Sequence, residues 1–127
     1  MTGIDEQHAQ LLRGKNLAAV TTIRRDGSPH VTPTWVDWDG EHVLVNTARG
    51  RAKVRHLEQN PQAAALVVDP ENPYSWVSVS GTAELVDEGA EEHIHELSRR
   101  YNGTDYTIGQ GEERVIVRIT PERVTQR

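Results

Sequence analysis

The dipeptide Asp39-Gly40 constrains this chain more than any other feature, because it divides two runs of strand-forming residues, His30–Trp38 and Glu41–Thr47. Glycine takes the positive φ that a two-residue hairpin turn demands, and aspartate tolerates it better than most residues. Such a turn pairs Trp38 with Glu41. Counting back sets Asp37 opposite His42, Trp35 opposite Leu44 and Pro33 opposite Asn46. The other face then carries Val36 with Val43 and Thr34 with Val45. Apolar residues on both faces imply a hairpin covered on both sides, as in a small barrel lying against a second subunit. The supply of core residues points the same way. Phe and Cys are absent and Met occurs once in 127 residues, so Val, Ile, Leu and Trp must fill the interior. A core that small gains from apolar area buried against a partner copy.

The remaining punctuation divides the chain into short elements. Ile4, His8, Leu11 and Leu12 share one face of an N-terminal helix, with Thr2 and Asp5 at capping-box spacing and Gly14 as its stop. Leu17–Ile23 has the β-branched density of a buried strand, and Arg25–Ser28 is turn chemistry around Gly27. A short helix is expected over Arg51–Gln59 with Val54 and Leu57 inward. A strand follows over Ala63–Asp69, then a loop over Pro70–Pro73. Tyr74–Val86 alternates as a long strand, with Gly81 marking a bulge or bend. Asp87 can cap a helix whose stripe is Ala90, Ile94, Leu97 and Tyr101, ended by Asn102-Gly103. Thr104–Glu112 is polar and irregular, either a lid or a connector, and Arg114–Val124 is a final strand. The expectation is one domain over residues 1–127 of the α+β class: a mainly antiparallel barrel of about six strands with three short helices.

Several functions are disfavoured by composition. A net charge of −5 argues against a general nucleic-acid binder, although a local site for a small anion is compatible with it. No run approaches the length of a membrane span and Met1–Gln10 does not read as a secretory leader, so a cytoplasmic protein without membrane contact is expected. Without Cys there are no thiolate metal sites or thiol nucleophiles. His93 and His95 stand about 200° apart around a helix and cannot converge on one ion. His30 and His42 lie on opposite hairpin faces, so no metal is expected. Asp37 opposite His42 reads as a surface pair, Trp38 as core or interface, and Tyr101 as packing. No nucleophile elbow or glycine-rich phosphate loop occurs.

The segment Asn46-Thr-Ala-Arg-Gly-Arg-Ala-Lys53, extended to Arg55, puts four of the chain's 14 basic residues within seven positions. They fall where a strand ends and a helix begins, so free backbone N–H groups and the helix dipole add to their charge. Arg offers a planar fork to phosphate or carboxylate, and Lys a mobile point charge. Gly50 allows close backbone approach. Those residues read either as a phosphate or carboxylate site on a small ligand or as a solvated basic helix face.

The order of elements, the Asp26-Gly27 turn before a strand rich in Thr, Pro and Trp, the Arg51-Ala-Lys53 triplet and Ser80-Gly-Thr-Ala-Glu-Leu85 together resemble one family. It is the pyridoxamine-phosphate-oxidase-like split β-barrel, of FMN-binding split-barrel type, and within it the flavin/deazaflavin oxidoreductases that use coenzyme F420. The resemblance runs from Leu11 to about Val124. It implies a homodimer with cofactor clefts at the interface. It also implies a hydride transfer from the reduced deazaflavin to a conjugated or aromatic small molecule of quinone, enone or tetrapyrrole type. By the same resemblance Arg51 and Lys53 hold the cofactor phosphate, with Thr47 and Ala52 beside them and Arg49 as an outlying addition. Thr32, Pro33, Thr34 and Trp35 line the ring system, with Asn46 alongside. Tyr74 and Trp76 close the cleft from the other subunit, and Arg114 meets the acidic tail. The cofactor performs the hydride chemistry itself, so no catalytic side chain is assigned. The alternatives are an FMN-dependent oxidoreductase of the same fold and a non-catalytic carrier or sensor of flavin, deazaflavin or haem. Pyridoxamine phosphate oxidation itself is disfavoured, because no second phosphate-binding set is found.

Overall fold

The computed structural model describes residues 3–127. The strands are β1 (Leu17–Ile23), β2 (Pro29–Trp35), β3 (Asp37–Trp38), β4 (Val43–Ala48), β5 (Gln62–Asp69), β6 (Asn72–Val86) and β7 (Arg114–Gln126). The helices are α1 (Glu6–Arg13), α2 (Ala52–Gln59) and α3 (Ala90–Asn102). All seven strands form one sheet in the order β2-β1-β5-β6-β7-β4-β3, and every pairing is antiparallel. Its two end strands, β2 and β3, are consecutive in the chain and separated only by Val36. The sheet is thereby rolled into a barrel with a seam between β2 and β4, which approach each other but share no ladder. Inside, Val20, Val45, Val67, Val79, Val117 and Ile119 are each at most 1% exposed. Branched side chains suit this pleated, interdigitated interior, which explains a core built without Phe.

α1 plugs one end of the barrel with Ala9 and Leu12, the latter fully buried. Asp5 is its N-cap, accepting the His8 N–H at 2.9 Å. Thr2, the other member of the expected capping box, lies outside the described residues. Gly14 ends α1 in extended backbone.

The hairpin at Asp39-Gly40 differs from the sequence reading. Trp38 pairs with Val43 and Asp37 with Leu44, so residues 39–42 form the loop, closed by the Asp39 N–H to His42 carbonyl bond (3.3 Å), and Asp39-Gly40 is not itself the turn. The Asp39 carboxylate is the reason: it accepts the Glu41 and His42 N–H groups at 2.8 and 2.6 Å and bonds His42 Nδ1 at 2.9 Å. Asp37 therefore does not face His42. The expected strand over 30–38 also breaks at Val36, raising the strand number from about six to seven. Its first part pairs wholly with β1, through a turn in which Gly27 has φ 89° and Asp26 accepts the Ser28 N–H at 3.0 Å. Trp35 consequently opposes Leu17, and Pro33 opposes Ala19.

Two smaller expectations change and a third holds. The loop expected over Pro70–Pro73 shrinks to a tight turn, because β6 already begins at Asn72. Gly81 stands at the expected bulge, whose extra residue, Glu122, lies on the facing β7. The register slips on β7, where Arg123 pairs with Ser80 and Pro121 with Gly81, and a Cβ on Gly81 would stand 1.8 Å from the Thr120 carbonyl oxygen. Asp87 does not cap α3 with its side chain. Gly89 is the N-cap, and the Asp87 carboxylate is taken by Arg49.

Candidate functional site

At the seam, β2, the end of β4 and the start of α2 enclose a cleft of about 230 Å³. Pro33 and Thr34 line it from β2, Asn46 and Thr47 from β4, and Arg51, Ala52 and Lys53 from the helix start. His30 completes the lining and was not singled out from the sequence as a site residue. The sharp passage from β4 into α2 needs Gly50 at φ 91°, which the Arg51 N–H to Ala48 carbonyl bond (3.2 Å) tightens. Arg51 is the N-cap residue of α2, and its guanidinium makes no hydrogen bond or ion pair among the described residues. Lys53 Nζ donates to Thr32 Oγ1 at 2.6 Å, which brings Thr32 to the cleft wall. Burial first, then the neighbouring Arg51 charge, holds the Lys53 ammonium below its usual pKa. Among the described residues, no carboxylate lines the cleft. In a chain of net charge −5, two cations and a helix N-terminus converge in a lining that holds no carboxylate.

The other residues implied by the resemblance lie elsewhere. Arg49 is committed to Asp87, with Nε and Nη2 each 3.0 Å from a carboxylate oxygen. Arg114 is 5% exposed, and its Nε donates to Asn46 Oδ1 at 3.0 Å and its Nη1 to Glu112 at 2.8 Å, over the Tyr106 ring. Both arginines border a second, acidic hollow that also carries Glu91, Glu92 and Glu113. Trp35 stacks on Tyr101 with ring centroids 5.1 Å apart, inside a cluster with Ile94, Leu97, Tyr106 and Ile108. Trp76 lies on the outward face of β6, opposite Val68, and Tyr74 is 79% exposed. None of residues 104–112 lines the seam cleft. That segment is strapped to α3 instead, by Arg99 to Asp105 (2.5 Å) and by the Tyr106 N–H to His95 Nδ1 (3.2 Å).

Periodicity gave no sign of a buried polar chain behind the cleft. Asn46 Nδ2 donates to the Ala90 carbonyl (2.9 Å) and to His93 Nδ1 (3.0 Å), while Asn46 Oδ1 receives Arg114. With both amide hydrogens spoken for, His93 Nδ1 must be the acceptor, and Nε2–H donates to Asp37 Oδ2 at 3.1 Å. Arg100 and the Trp38 N–H hold the other oxygen of Asp37. Burial pushes the Asp37 carboxyl up, but the bonds from His93 and Trp38 and the Arg100 charge overcome it and keep its pKa below the usual value. The chain locks β3, β4, α3 and β7 together directly behind Asn46. A sequence signal for it existed only in the unusual placement of His93 on the inward side of α3, beside Ala90, Ile94 and Leu97.

Residues 4–127 match the pyridoxamine 5'-phosphate oxidase family. The chain belongs to that family. Among solved structures, an F420 reductase is 30% identical, covers 96% of this chain and 98% of its own, and superposes with a TM-score of 0.85. A conserved Mycobacterium tuberculosis protein is 28% identical over 97% of this chain and 84% of its own, with a TM-score of 0.76. At 20% identity, a Listeria innocua protein described as a pyridoxamine 5'-phosphate oxidase shares the fold, covering 87% of each chain with a TM-score of 0.69. The split-barrel architecture of this family is therefore the architecture seen here. Among the described residues, no group of three or more His, Asp or Glu could hold a metal ion, and no helix is long and apolar enough to cross a membrane.

Proposed function

We propose that this family member binds coenzyme F420 in the seam cleft of a homodimer and uses it to reduce a conjugated or aromatic small molecule, of quinone, enone or tetrapyrrole type. The observation that carries this reading is the carboxylate-free cleft in which Arg51, Lys53 and the α2 N-terminus converge. Those groups fit a phosphodiester: Arg51 has its fork free, and Lys53 lacks an anionic partner to offset its burial. When bound, the cofactor supplies the hydride. The protein binds and orients it. Arg51, Lys53 and the first-turn N–H groups grip the phosphate, and Thr47 and Ala52 shape the cradle. Thr32, Pro33 and Thr34 flank the bound molecule, and the network behind Asn46 keeps that wall rigid. The resemblance of this chain to an F420 reductase favours the deazaflavin. The family match over residues 4–127 favours FMN as the second reading, through the same Arg51 and Lys53.

The dimer is supported by an unpartnered apolar surface. Leu17, Val31, Leu66 and Val68 are 59%, 57%, 38% and 41% exposed. The β2-β1-β5-β6 register puts them on one outward face together with Tyr74 and Trp76. Monomers rarely leave such a patch in water. A second copy on this face would keep water from the cofactor and complete walls that a cleft of about 230 Å³ does not provide alone. The test is fluorescence titration with F420 and with FMN, followed by turnover of candidate acceptors with the reduced cofactor. Arg51→Ala and Lys53→Ala are each expected to weaken binding roughly 10- to 100-fold, the worth of a charged hydrogen bond. Wild-type protein that binds neither cofactor refutes the proposal. Tight FMN binding with none of F420 selects the second reading.

A further inference from the structure

We infer that His30 is a further ligand-binding residue of the seam cleft, whose Nε2–H donates a hydrogen bond to an acceptor oxygen of the anion held by Arg51 and Lys53. This rests on the reading of the cleft as an anionic-cofactor site. His30 lines the same cleft as the two cations. It stands two residues from Thr32 on one face of β2, about 7 Å along the strand, and Thr32 Oγ1 carries the Lys53 ammonium.

The ring is held from two sides. Thr22 is the direct cross-strand neighbour of His30, and its hydroxyl is bonded at 2.8 Å to Nδ1 of His56. The His56 ring in turn meets that of His30 in an edge-to-face contact, with centroids 5.0 Å apart and planes at 71°. Burial first, then the nearby His30, Arg24, Arg55 and Lys53, holds His56 below the usual imidazole range, so the support is a neutral ring. His30 Nδ1 is shut away from solvent and has no hydrogen-bond partner among the described residues. An N–H at that atom would be buried without an acceptor, so the proton of the neutral ring belongs on Nε2. No described residue claims that donor. Arg51 and Lys53 bring charge to the site, whereas His30 brings a directed hydrogen bond that rewards correct placement of the anion.

Two glutamine-family substitutions separate the ring nitrogens: the amide of Gln reaches where Nε2 stands, and that of Asn where Nδ1 stands. Dissociation constants for F420 and FMN are measured at pH 8.5 in low and high salt for wild type, His30→Ala, His30→Asn, His30→Gln and Arg51→Ala, with circular dichroism to verify folding. His30→Ala and His30→Asn are expected to weaken binding roughly 5- to 20-fold by the same factor at both salt concentrations, while His30→Gln stays within about 3-fold of wild type. Arg51→Ala should instead lose more in low salt than in high salt. Folded His30→Ala and His30→Asn that bind like wild type, beside a weakened Arg51→Ala, overturn the role of His30 and leave the cofactor reading standing. Rescue by Asn rather than Gln also overturns it. If His30→Ala does not fold, the Gln–Asn comparison decides alone. A wild-type protein that binds neither cofactor removes both readings together.

Discussion

Replacing Tyr101 with Phe removes one oxygen atom at the point where the barrel closes. That hydroxyl accepts the Val36 N–H at 3.1 Å and donates to the Asn16 carbonyl, with the Gly14 and Val36 carbonyls each 3.3 Å away. Val36 is fully buried and Tyr101 is 7% exposed, so water does not replace the lost partner. The buried Val36 N–H is left unmatched at about 1–3 kcal/mol, and the half-buried Asn16 C=O loses a bond worth about 1 kcal/mol. The stack on Trp35 survives in Phe, so the expected loss is about 2–4 kcal/mol in all. Unfolding entropy of about 2.1 cal/mol/K per residue amounts to about 270 cal/mol/K for this chain, so Tm should fall by about 7–15 °C. Thermal melts followed by circular dichroism measure the shift, and amide exchange at Val36 should quicken in the native state. A melting temperature within about 2 °C of wild type, with Val36 exchange still slow, would refute the argument that this hydroxyl fastens the join between β2 and β3.

Asp37 supplies the pH dependence. Its carboxyl is held below its ordinary pKa in the folded protein, so its contribution is complete above the unfolded value and is lost as pH falls through the lower folded one. Chemical denaturation should therefore show Asp37→Asn least stable relative to wild type near neutral pH, with the gap narrowing below about pH 4. A gap that widens on acidification contradicts the assignment. On the outer sheet, Leu66→Glu places a charge in the centre of the exposed apolar face. Under the proposed dimer, analytical ultracentrifugation should show a dimer for the wild type and a monomer for Leu66→Glu, with the folded circular-dichroism spectrum retained.

The parts of this molecule set by local chemistry could be read from its sequence, and those set by the choice of neighbour could not. Leu17–Ile23 is a strand with the expected ends, because β-branching and the Gly27 turn decide it locally. The stripe Ala90, Ile94, Leu97 and Tyr101 is buried as its spacing implies, and Gly103 ends α3 with φ 82°. Alternation along His30–Trp38 correctly indicated extended chain, but a period of two says nothing of which strand lies alongside. Alternation alone pairs the stretch with Glu41–Thr47, whereas its first six residues, His30–Trp35, pair with β1. The basic cluster was legible as chemistry, and Arg51 and Lys53 do line one cleft with Pro33, Thr34, Asn46 and Thr47. Arg49 and Arg114 carry the same charge, yet Asp87, Asn46 and Glu112 occupy them, partners distant enough in sequence or so placed in the fold that no motif reveals them. His30, His93 and Tyr101 matter through contacts 26, 47 and 65 positions away, with His56, Asn46 and Val36.

The join at Val36 also bears on what the protein can admit. β2 and β4 are neighbours without a ladder, so parting them breaks no main-chain hydrogen bond between them. Widening the aperture costs side-chain rearrangement, while its upper limit is set by the span of one residue acting as a stitch. If the seam cleft takes the proposed cofactor, size selection there becomes a question of tether length, and a single residue inserted beside Val36 should change which molecules enter.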